Sequence, residues 1–205
     1  MIRPMRWWML VGVAAVLVPT VFALGAPKTA AKWEGPWVPI GLGGKLRTTI
    51  YYGPWKCRAT FMNACRTECS RKGHRLMGCI WIADIKSDYE GIAFVKRAGG
   101  RAAISHCCCD YPTASDLDAR RKTWERGRDK YRQEWSKEFG EWPMAGKEAW
   151  PGHHVMDLLH GGDPLSKEIF PIPKEVHYEV TAEYKQCYQG ANGWNTAGPD
   201  YPYGE

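Results

Sequence analysis

The chain has 205 residues, 44% of them hydrophobic and 13% aromatic, with 11 tryptophans. This excludes wholesale disorder and leaves enough apolar mass for one large domain or two small ones. The net charge of +6 is moderate and favours an anionic partner, nucleic acid or a membrane surface, without demanding one.

Arg3 and Arg6 precede an uncharged, mostly apolar run from Trp7 to Leu24, and Ala23-Leu24-Gly25 fits a cleavage site with Ala26 as the first mature residue. Residues 1–25 therefore read as a secretory signal, whose removal takes the net charge from +6 to +4. The run is also long enough to stay in a membrane as an anchor, which would give membrane association through this segment. The expected location is secreted or in the cell envelope, periplasm or outer membrane. Residues 26–44, rich in Gly, Pro and Trp, read as a linker with no strand or helix period.

Eight cysteines in an exported chain point to disulfides. Seven lie between Cys57 and Cys109, so full pairing requires Cys187 to reach back and staple the two halves; a free Cys187 is the alternative. The run Cys107-Cys108-Cys109 lacks the spacing of a metal site. No Cys-x-x-Cys pair occurs, which leaves a thiol oxidoreductase without its usual arrangement.

Lys45–Tyr52 is β-branched and aromatic and reads as a strand ended by Gly53-Pro54. Thr60–Lys72 carries a helical apolar stripe, with Cys65 and Cys69 one turn apart on one face. Leu76–Ile85 reads as a buried strand, Gly91–Lys96 as a second and Ala102–Cys108 as a third. Ser115–Trp142 reads as one amphipathic helix with Ser115 as its N-cap and Leu117, Trp124, Tyr131, Trp135 and Phe139 on its stripe. Its basic residues, Arg121 and Arg128 among them, are candidates to track phosphates together with Lys174 further on; a solvated face mixed with acids is the plainer alternative. The expected division is a cysteine-rich module (45–111), a helical connector (112–147) and a C-terminal domain (148–205), in an α+β chain.

Of the 6 histidines, His153, His154, His160 and His177 crowd into the last division. Imidazole binds metals and moves protons near neutral pH, so this is where chemistry is expected. Adjacent residues of a strand face opposite sides, which gives His153 and His154 different jobs. Gly161-Gly162 makes a tight turn, and Pro173 starts a helix over Lys174–Tyr188 with Val176, Val180, Tyr184 and Tyr188 on one stripe and His177 in its first turn. Strand, turned loop and helix with histidines at both ends is the outline of a ββα-metal nuclease site.

Trp150-x-Gly-His-His154, then Leu159-x-Gly-Gly162, then Pro171-x-Pro-x-x-x-His177 resembles the GHH-signature branch of the HNH/endonuclease VII nucleases. Cys187-Tyr188, Trp194, Gly198-Pro199-Asp200 and Pro202-Tyr203 are similar to the ending of exported myxobacterial-type toxin lipoproteins that carry the same C-terminal warhead. The resemblance covers residues 148–205. It implies an HNH-like metal-dependent endonuclease, a secreted polymorphic toxin that hydrolyses the nucleic acid, DNA before RNA, of competing cells, together with a cognate immunity protein. It implies His153 and His177 as ligands of one divalent ion (Mg, Mn, Ni or Zn) and His154 as the general base. The sequence departs from the family at Thr181, where a His or Asn often stands, and at Glu168, often an Asn; His160 or Asp157 is then the candidate to complete the metal shell, and an impaired domain is the alternative. No cysteine stands at the cleavage junction to take a lipid. A non-catalytic, disulfide-stapled envelope protein that binds zinc or a protein partner is the alternative from another class.

Overall fold

The computed structural model describes residues 31–40, 43–91 and 100–204. The expected signal segment and most of the expected strand Gly91–Lys96 lie outside these residues. In chain order the first half forms β1 (Ala31–Glu34), β2 (Val38–Ile40), β3 (Gly44–Lys56), α1 (Ala59–Arg71), β4 (Leu76–Glu90) and β5 (Gly100–Cys109). The strands make one antiparallel sheet in which β1 and β2 both pair with β3, then β4, then β5. The chain is thus α+β.

The linker expected over residues 26–44 contains β1 and β2, two short strands that take up the outer edge of β3. Gly53-Pro54 does not end β3 either. The strand runs on to Lys56, and the register shifts between Tyr52 and Trp55, a bulge that accommodates a proline lacking its N–H.

β4 is apolar on both sides because it is buried on both sides. Its Ile80 and Ile82 join a core with Ile50, Tyr52 and Cys108, while Cys79 and Trp81 face a second core with Met62 and Cys65 of α1. The same alternation places the three consecutive cysteines. Cys107 and Cys109 face α1 and bond to Cys65 and Cys69; Cys108 faces the other way and bonds to Cys187. Cys57–Cys79 is the fourth bridge, and no cysteine of the described residues is free. Cys187 therefore does staple the two halves.

The second half forms α2 (Leu117–Phe139), β6 (Met144–Ala145), β7 (Glu148–Ala149), β8 (Gly152–His154), β9 (Ile169–Pro171) and α3 (Lys174–Tyr188). β6 pairs with β7 and β8 with β9, each antiparallel. α3 lays Val176, Val180 and Tyr184 on the sheet face opposite α1, in one core that also takes Phe170, Ile172 and Trp194. Gly78 makes this approach possible, since a Cβ there would stand 2.8 Å from the Cys187 carbonyl oxygen. The C-terminal segment crosses back over the α1 side: Tyr203 stacks on Tyr51 with centroids 4.4 Å apart and donates to the buried Asp84. No described helix is long and apolar enough to cross a membrane.

α2 starts at Leu117 with Asp116 at the cap position, in place of the expected Ser115, and no side chain caps it. The Asp116 carboxylate is occupied by Arg120, whose Nε lies 2.8 Å away. Phe139, expected on the buried stripe, is an exposed ring resting on Trp135.

His106 of β5 is sealed under α3, with Nε2 2.7 Å from the Tyr188 hydroxyl. Burial lowers its pKa from 6.5 to about 4. Because the unfolded chain then takes the proton first, the contribution of neutral His106 is complete above pH 6.5 and is lost as pH falls toward about 4. The loss approaches ~3 kcal/mol. Urea unfolding followed across that window should show the decline, and His106→Gln should flatten it; an unchanged profile in the variant would refute the assignment.

Candidate functional site

β8 and β9 pair in the register His153↔Phe170 and His154↔Ile169, and Val155 N to Glu168 O at 2.9 Å carries the ladder one step further. The loop between them is built from turn chemistry. Asp157 accepts from the His160 amide at 2.9 Å, and Gly161 adopts φ +94°. A Cβ on Gly162 would fall 2.0 Å from the Met156 carbonyl oxygen, so only glycine closes this turn. Arg120 of α2 fixes the loop from outside through the Gly161 and Gly162 carbonyls, at 3.1 and 2.9 Å.

His153 and His154 face different surroundings, as alternation requires. His153 is 5% exposed and sits against Phe170, Tyr184 and His177, the last with ring centroids 5.4 Å away. His154 is 9% exposed and meets the edge of Trp124, centroids 4.9 Å apart. It lines a cleft of about 490 Å³ shared with His177, Lys174, Arg128, Arg132 and Tyr178.

Hydrogen bonding fixes the protons on both rings. Tyr184 has one hydroxyl proton and donates it to the Val155 carbonyl at 2.9 Å. Its contact with His153 Nε2 at 3.2 Å therefore needs the imidazole to donate, which leaves the lone pair on Nδ1. His154 Nε2 lies 3.2 Å from the Pro164 carbonyl oxygen, which can only accept, so His154 also carries its lone pair on Nδ1. Burial holds both rings neutral. It lowers the His153 pKa well below 6.5, with repulsion from His177 and His154 adding to it. It lowers His154 as well, opposed by the Pro164 bond and by Asp163 and Asp157. His177 is lowered by burial and then by His154.

The structure thus brings His153, His154 and His177 together. His160 is engaged elsewhere: its Nδ1 lies 2.8 Å from Asp157 Oδ1 and its ring stacks on Tyr188 at 3.6 Å. Asp157 is occupied by the same pairing. Thr181 turns its hydroxyl back onto the His177 carbonyl at 2.7 Å, an exposed intrahelical bond outside the cleft. Glu168 is exposed, and its backbone serves the β8–β9 ladder. Among the described residues no group of three or more His, Cys, Asp or Glu is placed to hold a metal ion.

Of the cationic candidates, Arg128 and Lys174 line the cleft. Arg121 does not; it is 61% exposed and lies 3.7 Å from Asp118. Arg132, one of the basic helix residues expected to track phosphates, also lines the cleft, whereas Trp124 and Tyr178 are cleft residues that sequence reasoning left without a site role. The signal for Trp124 was present, since Trp124, Arg128 and Arg132 are spaced at i, i+4 and i+8 on one helix face. Comparison with protein-family models, with curated proteins and with solved structures gives no match.

Proposed function

We propose that this cleft is the active site of a metal-dependent endonuclease of the GHH-signature, ββα-metal kind, carried by an exported toxin that cuts the nucleic acid of competing cells. The paired strands β8 and β9 followed by α3, with histidines on β8 and α3, support that outline. The observation that carries the proposal is His154: a neutral imidazole whose Nε2–H is spent on a backbone carbonyl, in a cleft with three cations.

In this mechanism His154 Nδ1 takes the proton from the attacking water, a task that suits an unprotonated imidazole near neutral pH. Arg128, Arg132 and Lys174 hold the phosphates. His153 and His177 would be the ligands of one divalent ion, Mg, Mn, Ni or Zn. Tyr184 holds the far nitrogen of His153, as a ligand histidine requires. Two imidazoles are one fewer than the three protein ligands of a catalytic zinc site, so water and phosphate oxygens would complete the shell. Bound there, the ion would polarise the scissile phosphate and offset the charge on the leaving oxygen. DNA is the preferred substrate over RNA, and a toxin of this kind implies an immunity protein.

Cleavage of nucleic acid that needs a divalent ion and stops with EDTA is the expected result. Tight cation binding with no cleavage under any of the four ions would favour a non-catalytic, zinc- or partner-binding envelope protein. Tyr184→Phe should lower cation affinity by about 10- to 100-fold, since His153 is then free to present either nitrogen. Calorimetric titration with Mn or Zn measures this, and unchanged affinity would remove Tyr184 from the role.

A further inference from the structure

Trp124, Arg128 and Arg132 of α2 line the same cleft as Lys174, His177 and Tyr178 of α3. Three cations there face one carboxylate, Glu148. Arg128 and Arg132 share Asp129 at 3.7 and 3.3 Å, but that carboxylate is largely solvated, and a phosphate displaces such a pair at little cost. Arg132 Nε is buried and has no hydrogen-bond partner among the described residues. Tyr178 is 64% exposed although its ring is large, and it stands 6.3 Å from His177, centroid to centroid.

We propose that the cleft takes a single, unpaired strand of nucleic acid, with Arg128 and Arg132 on its phosphates and Tyr178 stacked on a base. Cations that follow a backbone, interleaved with an open aromatic ring, are the means by which proteins hold single strands without sequence preference. In a duplex the base faces are already covered by their neighbours, so Tyr178 has nothing to stack on and only the phosphate contacts remain. The preference follows from the ring, and the affinity from the arginines.

The proposal rests on the cleft being a nucleic-acid site and does not depend on cleavage. Its test is fluorescence anisotropy in EDTA, with labelled single strands of DNA and of RNA of about 12 nucleotides and with the matching duplex. The single strand, in at least one of the two sugars, should bind at least about tenfold more tightly than the duplex, because stacking one base is worth about that factor or more. Tyr178→Ser should remove that preference and leave duplex binding unchanged. Arg128→Met and Arg132→Met should each weaken single-strand binding and reduce the slope of log affinity against log salt by about 0.7.

Equal or tighter binding of the duplex, or a Tyr178→Ser variant that keeps the preference, would overturn the proposal while leaving the nuclease reading in place. Single-strand binding as described, with no cleavage under any divalent ion, would do the reverse.

Discussion

Removing the Cys108–Cys187 bridge, by Cys108→Ser together with Cys187→Ser, is expected to lower the free energy of unfolding by roughly 4–5 kcal/mol in the chain-entropy account of disulfides. The bridge closes a sequence separation of 79 residues, the longest of the four, and so removes the most freedom from the unfolded chain. Both sulfurs are fully buried where β5 meets the end of α3. The other three bridges lie on the α1 side of the sheet and cannot substitute for it. Since α3 carries His177 and Tyr184, the loss should reach the cleft as weaker cation binding. Urea unfolding of the two oxidised proteins measures the effect; a change below about 1 kcal/mol would mean that the packing of α3 holds this layer without the bridge.

His154→Ala is expected to reduce cleavage by about 10²-fold or more, within the range that a positioned base contributes. His154→Gln keeps much of the volume that packs against Trp124 but supplies no basic nitrogen, and it should be equally impaired. The pair separates chemistry from packing. The wild-type rate should fall on the acid side as His154 takes a proton. Because burial, opposed by the Pro164 bond and by Asp163 and Asp157, sets its pKa below 6.5, that fall should be centred below 6.5. The variants should lack the acid limb. A His154→Gln variant with near wild-type rates would remove the base.

Much of this structure was legible in particular residues. Period-3.6 spacing gave α1, α2 and α3 within two or three residues at each end, and Pro173 marked the start of α3. The face alternation at His153 and His154 followed from strand geometry alone. The same rule, applied to Cys107-Cys108-Cys109 beside Cys65 and Cys69 one turn apart, holds the disulfide pairing, although spacing by itself did not select it. The strands β1 and β2 were hidden because they are only 4 and 3 residues long, too short to show a period, and β2 contains Pro39. The continuation of β3 through Gly53-Pro54 was hidden because a bulge tolerates what a regular ladder does not. In the cleft, Lys174 and Arg128 were readable as cations, but Arg121 and Arg132 differ only in which way their part of α2 faces. The engagement of His160 with Asp157 and Tyr188 depends on a loop closed by Gly162, and no periodicity reports that.

The cleft as a metal-dependent phosphodiesterase site is tested most directly by nicking of circular DNA, supplied both as duplex plasmid and as the single strand. The oxidised protein would be supplied with Mg, Mn, Ni or Zn in turn, with wild type beside His153→Ala, His154→Gln and His177→Ala. The account predicts nicking by the wild type with at least one ion, none in EDTA, and loss of about 10²-fold or more in His154→Gln. Undiminished nicking by His154→Gln, or no nicking by the wild type with any of the four ions, would contradict it.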